Sequence, residues 1–283
     1  MSIDSPSVRA AARPRSHAGL GRLGLGLLLT PSAVAIAAYA LPGMQVGASL
    51  ANAIAFAGAT LFPIVGLSLA AMSEVRLRFA LAGAAFAAAL LLTLLVWQPA
   101  PISAVLLVDT ALVCFSWALG CSLGRRVQHA SHLYPASVVA ASADLVSLLS
   151  PEGPSHAIAQ SERALSVLAV WFPMPGGAAL APALGVGDLV FMALVFGVAR
   201  AHGLPYARCV VACAAGTALA GVTAAWTGLA VPALVAIAAV LLLALPSIRK
   251  LRRSDRNAAH WTMLIASTVA LASVARALLA SPD

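Results

Sequence analysis

The chain has nine acidic side chains, and three of them stand where charge is least expected. Asp109, Asp144 and Asp188 fall inside long apolar runs, whereas Asp4, Glu74, Glu152, Glu162, Asp255 and Asp283 sit in polar segments. An ionised Asp at mid-membrane costs about 2.5–3.5 kcal/mol even on the mildest insertion scale. Such a group is kept where it faces a watery cavity and works there. Two carboxyl groups at close range cannot both ionise, so they share a proton. One is then a base that activates water, the other an acid that protonates a leaving group. They titrate as a pair.

Asp144 and Asp188 suit that chemistry. They lie in apolar runs on either side of the segment 151–177, about seven residues before it and about ten after it. At 1.5 Å per residue both reach roughly 10–15 Å below the same surface. Runs joined by one loop are usually neighbours. The expectation is therefore two carboxylates at matching depth on adjacent antiparallel helices. Asp188 ends the stretch Gly185-Val186-Gly187-Asp188. Gly185 and Gly187 remove side chains beside it and let a neighbouring backbone approach, although glycine is common in membrane helices in any case. Further on, Pro232 opens the run VPALVAI at 231–237. A first-turn proline is ordinary. It also leaves carbonyls near Gly228 without intrahelical donors, free to pair with an extended peptide. Pro182-Ala183-Leu184 repeats the PAL tripeptide in a chain full of Ala and Leu. Asp109 has three open placements: lining the same cavity, pairing with a neighbour, or standing near the outer interface.

The elements that must position these groups are membrane helices. Of the 283 residues, 61% are hydrophobic and 9% charged, against about 25% charged in a soluble domain. Mean hydropathy is +0.97. The apolar runs are continuous and rich in Ala and Leu, which excludes the alternating pattern of a β-barrel. An all-α, polytopic membrane bundle of about nine transmembrane segments is expected. The spans fall at 20–41, 46–72, 79–97, 102–123, 134–150, 178–200, 207–230, 231–248 and 261–280. Arg276 within the last fits a snorkelling end or an interfacial helix equally well.

The net charge of +8 is spread in clusters between the runs. No basic stripe interleaves with aromatics, so nucleic acid is excluded as a partner. Arg9 to Arg22, Arg76 and Arg78, Arg125 and Arg126, Arg200 and Arg208, and Arg249 to Arg256 mark alternate loops; the connectors 42–45, 98–101 and 227–231 have no Lys or Arg. This is the positive-inside pattern and places the N-terminus in the cytoplasm. The segment 151–177 is then outside. The length of the first run, with further spans after it, favours a signal anchor over a cleaved signal peptide. Residues 1–22 read as a cytoplasmic basic arm, 23–130 as N-terminal transmembrane helices, 131–248 as the half carrying the chemistry, and 249–283 as a basic loop and C-terminal hydrophobic segment.

The remaining reactive residues are quieter. Cys114, Cys121, Cys209 and Cys213 lie in apolar runs and read as packing groups. His129, His132, His156, His202 and His260 fall in or near loops. Ser142 and Ser147 read as helix-packing groups, and no G-x-S-x-G elbow is present. No Cys/His spacing fits zinc, and a carboxyl pair needs no metal or cofactor.

Asp144, then GVGD in the next span, then PAL opening a later one, is an order that resembles the presenilin and signal peptide peptidase family of intramembrane aspartyl proteases. Its G-x-G-D and P-A-L motifs follow a first catalytic Asp in that order. DLVSLLSPEGP at 144–154 is similar to the presenilin stretch after that Asp, AQSER at 159–163 to its A-Q-E-R, and WFP at 171–173 to its next F-P. The likeness covers about residues 130–245 and suggests a bacterial presenilin-like member of the inner (plasma) membrane. It implies a presenilin-like fold, Asp144 and Asp188 as catalytic pair, and Gly185, Gly187, Pro232, Ala233 and Leu234 as active-site support. Substrates would be transmembrane segments of other proteins in the bilayer. Ala143 stands where the family usually has Tyr, and four spans precede Asp144 where the family has five. The loop lacks the insertion that presenilins cleave in themselves, so obligate partner subunits are not implied. Asp144 on an outward-going helix looks more like signal peptide peptidase, which implies substrates with a cytoplasmic N-terminus. Two other readings stay open: a proton-coupled transporter relaying through Asp109, Asp144 and Asp188, and a catalytically inactive relative, motivated by Ala143.

Overall fold

The computed structural model describes residues 17–45, 47–73, 75, 77–97, 101–150, 152–176, 180–227 and 231–280. Positions 1–16 of the basic arm, 98–100 and Gly228 lie outside them. In chain order the helices are α1 (His17–Ala40), α2 (Ala48–Ala71), α3 (Leu77–Trp97), α4 (Pro101–Arg126), α5 (Leu133–Leu149), α6 (Pro154–Gln160) and α7 (Glu162–Leu168). A hairpin comes next, β1 (Ala169–Pro173) and β2 (Leu180–Gly185), and then α8 (Val186–His202), α9 (Tyr206–Thr227), α10 (Ala233–Ala244) and α11 (Arg253–Ala280). Residues 17–22, expected to belong to the arm, are already the start of α1.

Among the described residues, six helices are long and apolar enough to cross a membrane: those at Gly21–Gly43, Ser49–Ala71, Ser103–Arg126, Ala130–Leu149, Tyr206–Thr227 and Arg253–Ala277. The apolar stretches Arg78–Leu94 and Ala233–Ala244 are shorter. The outer surface agrees with a membrane protein. Ile36, Phe86, Val96, Val222 and Leu243 are exposed, which water would penalise and lipid does not. Tyr39 and Trp226 stand exposed near the C-terminal ends of α1 and α9, as interfacial aromatics do.

α8 is the buried axis, with Leu189, Met192, Val195, Phe196 and Val198 wholly enclosed. It packs chiefly on α4. Gly120 and Gly124 form a G-x-x-x-G ridge there, one that was not among the expected functional glycines. A Cβ on Gly120 would collide with the Val190 carbonyl and one on Gly124 with that of Leu194. The backbones therefore touch, as small-residue ridges allow, and Cys121 Sγ donates to the Ala193 carbonyl at 3.3 Å. A second row runs α9, α10, α5, α11, each packed on the next.

Two arginines expected only to mark membrane sidedness also hold the frame together. Arg125 donates to the carbonyls of Ala71, Ser73 and Val75, and Arg200 donates to that of Met72. Both close the C-terminal end of α2, where carbonyls lack intrahelical donors. Tyr206 Oη donates to the Ser68 carbonyl at 2.5 Å.

Two expectations need correction. The run 178–200 is not one helix: its first part is β2, and α8 begins only at Val186. Pro182 cannot donate in a helix interior and the glycines at 185 and 187 weaken one. Nor is the described part of 151–177 a loop clear of the bundle. β1 is the apolar AVWFP, buried at Ala169, Val170, Phe172 and Pro173. Its Trp171 amide reaches Asp109, eight residues into α4, about 12 Å below that helix's start. The hairpin thus re-enters the bundle, where strand backbone is tolerated because α2 and α4 enclose it.

Gly120→Val is expected to lower stability by about 1–3 kcal/mol through overpacking. Gly83→Val, where a Cβ meets nothing within 4 Å, should stay within about 0.5 kcal/mol. Unfolding midpoints in detergent compare the two; equal midpoints would refute the close α4–α8 contact.

Candidate functional site

Asp144 lies on α5, and its Oδ2 accepts the backbone N–H of Leu234 at 3.3 Å. Leu234 is in the first turn of α10, whose N-cap is Pro232. Proline has no side-chain acceptor, so the first amides of α10 need one from elsewhere. Asp144 provides it across 90 residues of sequence. Pro232, Ala233 and Leu234 are therefore brought to Asp144 by a hydrogen bond, and all three are half-buried.

Asp188 also stands at a helix start. It is the third residue of α8, and its Oδ2 accepts the amide of the N-cap Gly185 at 3.1 Å. This is half of a capping box; Gly185 has no side chain with which to return the bond. The carboxylate is thus in the first turn, reached through β2, rather than ten residues down a helix. α5 touches α8 only lightly and packs mainly on α10 and α11. The expected adjacency of two consecutive helices is replaced by a three-way meeting of α5, α8 and α10. Asp144 and Asp188 nevertheless stand near enough for their charges to interact.

Each carboxylate faces the positive end of a helix, where the peptide dipoles and unpaired N–H groups favour a negative charge.

The glycines differ from expectation. A Cβ on Gly185 would meet Asp188 Oδ2 at an ordinary 3.6 Å, and one on Gly187 would meet nothing within 4 Å. Among the described residues no neighbouring backbone uses the room they leave. Gly187 is exposed beside Asp188, and the space is open to a further molecule. β2 offers a second opening: apart from Gly185, which starts α8, its residues pair only with β1 among the described residues, and no described strand pairs with its far edge. A groove of about 480 Å³ lies between α5 and α11, lined by Ser142, Ala143, Val146, Ala266 and Val269 among others, on the side of α5 that does not carry Asp144. Ala143, where the resemblance expects Tyr, borders this space.

Asp109 makes no direct contact with the pair among the described residues; it binds the Trp171 amide. Ser147 caps α6 from outside, its Oγ accepting the Ser155 amide at 2.7 Å. Gly153 of the PEGP stretch is required there, because a Cβ would collide with the Ser147 carbonyl. His132 pairs with Asp255 at 3.0 Å, and Asp255 lies in the first turn of α11 rather than in a loop. The four cysteines are free, and Cys121, Cys209 and Cys213 are buried. Among the described residues no three His, Cys, Asp or Glu side chains gather as a metal site requires.

No family model, curated protein or solved structure matches the chain.

Asp144→Ala is expected to release the start of α10 by about 0.5–2 kcal/mol, the usual worth of a cap. Hydrogen exchange at the Leu234 amide should accelerate roughly 2- to 30-fold. Asp144→Asn, which keeps an acceptor, should move it much less, and unchanged exchange in Asp144→Ala would contradict the cap.

Proposed function

We propose that the chain is an intramembrane aspartyl endopeptidase with Asp144 and Asp188 as its catalytic pair. The observation that carries this reading is the Asp144–Leu234 hydrogen bond, because it joins the first Asp to the PAL stretch where α5 and α10 also meet α8, the helix that begins with GVGD's Asp188 in its first turn. Three segments far apart in sequence meet around two carboxyl groups. A presenilin-like bundle of about nine spans, with a cytoplasmic N-terminus in a bacterial inner membrane, fits the six long apolar helices and the shorter ones between them.

The chemistry rests on one shared proton. The ionised carboxylate takes a proton from a water held between the two groups, and the water oxygen bonds to the scissile carbonyl carbon. The protonated partner gives its proton to the carbonyl oxygen, forming a neutral tetrahedral diol. In the second half the first carboxyl group gives its proton to the amide nitrogen while the second takes one from a diol hydroxyl, the C–N bond breaks, and a carboxylic acid and an amine leave with the pair restored. No metal or cofactor enters these steps.

The substrate is a transmembrane segment, which must unwind before its carbonyl can be attacked. The free edge of β2 suits the unwound stretch as a third strand. β2 ends at Gly185, whose amide already binds Asp188, so a strand added there delivers its peptide bonds beside the pair. Gly187 leaves the room. The apolar groove beside Ala143 and Ser142 gives a membrane helix a face to lie on before unwinding.

Purified protein in liposomes with a single-span reporter tests the reading. Wild type is expected to cleave it, with a bell-shaped pH profile from the shared proton. Asp144→Ala and Asp188→Ala should each lose at least about 10²–10⁴-fold. Cleavage that persists in both variants sinks the dyad. A wild type that cuts no reporter of either orientation favours the inactive relative, and proton-coupled uptake favours the transporter.

A further inference from the structure

Asp109 is the buried carboxyl group that the proposed hydrolysis does not use. None of its surface is exposed. One oxygen accepts the Trp171 amide at 3.2 Å, and Oδ2 has no hydrogen-bond partner among the described residues. A carboxyl group in such a place is costly, so its position calls for a reason.

The partner amide supplies one. Trp171 marks the point at which the hairpin register slips: Val170 faces Leu184, and Trp171 faces Pro182. Ala183 is therefore the extra residue of a bulge on β2. A bulge bends its strand and re-aims the chain beyond it. Beyond this bulge lie Gly185, the N-cap of α8, and then Asp188, whose oxygen binds the Gly185 amide. Pro182, opposite Trp171, has no N–H to lend to the ladder, so the pairing is weakest at this point. The Trp171 amide is tied to α4 instead, the helix whose glycine ridge is seated on α8.

We propose that Asp109 is a positioning residue for Asp188. It anchors the bulged point of the hairpin to α4, and through β2 it sets where the start of α8, and with it Asp188, stands. The proposal rests on the protease reading for its catalytic consequence, though not for the anchor itself. It also separates Asp109 from a proton relay, since anchoring requires only an acceptor oxygen, which the amide of Asn retains.

The test compares wild type, Asp109→Asn, Asp109→Leu and Asp109→Ala as full-length protein in liposomes. Cleavage of the single-span reporter gives kcat and KM; hydrogen exchange monitors residues 169–173 and 185–188. Asp109→Asn is expected within about threefold of wild type in kcat, because the acceptor is kept. The two apolar variants should lose roughly 10- to 100-fold in kcat, as a displacement near 1 Å can cost. Their KM should change less than threefold, and exchange should rise in both windows. Two apolar variants guard against one that fails to fold. Unchanged kcat in a folded apolar variant would overturn the proposal, as would an Asn variant as inactive as Leu, which would make Asp109 a proton carrier. If wild type cleaves nothing, the protease reading fails by itself and exchange decides the anchor. Faster exchange in the apolar variants but not in Asn supports it, and equal exchange in all four proteins overturns it.

Discussion

The centre of the molecule depends on two helix starts that cannot cap themselves. α10 begins after Pro232 and α8 after Gly185, and neither N-cap has a side-chain oxygen. Away from water, the first amides of each would be left unpaired at a cost comparable to a lost hydrogen bond. The acceptors come from Asp144, reaching over from α5, and from Asp188, folding back within its own first turn. This reverses the usual view of a carboxylate among apolar helices. The charge is costly alone and the amides are costly alone, and each offsets the other. It also makes structure and proposed chemistry inseparable, since the oxygens that would handle a proton are those that hold α8 and α10 in place.

The rest of the bundle keeps those starts in register. The α4–α8 contact is built on backbone touching backbone at Gly120 and Gly124, a contact with little freedom to slide. Arg125 and Arg200 fasten α4 and α8 to the end of α2. The hairpin enters this frame from the other side and is gripped by α2 and α4. α11 lies at the margin, resting chiefly on α5, with the His132–Asp255 pair near its start.

Much of this is legible from residue types. The scarcity of charge and the spacing of the basic clusters point to membrane helices, and the three carboxylates in apolar runs can be picked out because every other acidic residue sits in a polar segment. Pro232 can be read as a helix start because proline is tolerated there. The partner of each group cannot be read in this way. The tie between Asp144 and Leu234 spans 90 residues, and no local periodicity encodes it. The hairpin is hidden for another reason. A short apolar run such as AVWFP or LAPALG suits a buried strand as well as a helix, and the prior for membrane chains is helix. Its signals are present all the same: β-branched and aromatic residues in β1, and Pro182 with Gly185 in β2. The G-x-x-x-G ridge at Gly120 and Gly124 is equally visible.

The shortness of α10 has a consequence for the bilayer itself. Its 12 residues make about 18 Å of helix, against a hydrocarbon layer of about 30 Å. If its C-terminal end is level with one face, its first turn lies about 12 Å inside the other. That is the depth at which the Trp171 amide meets α4, by the same arithmetic. In that setting the short helix and the buried hairpin would both carry polar backbone well inside the layer, and both from the same side.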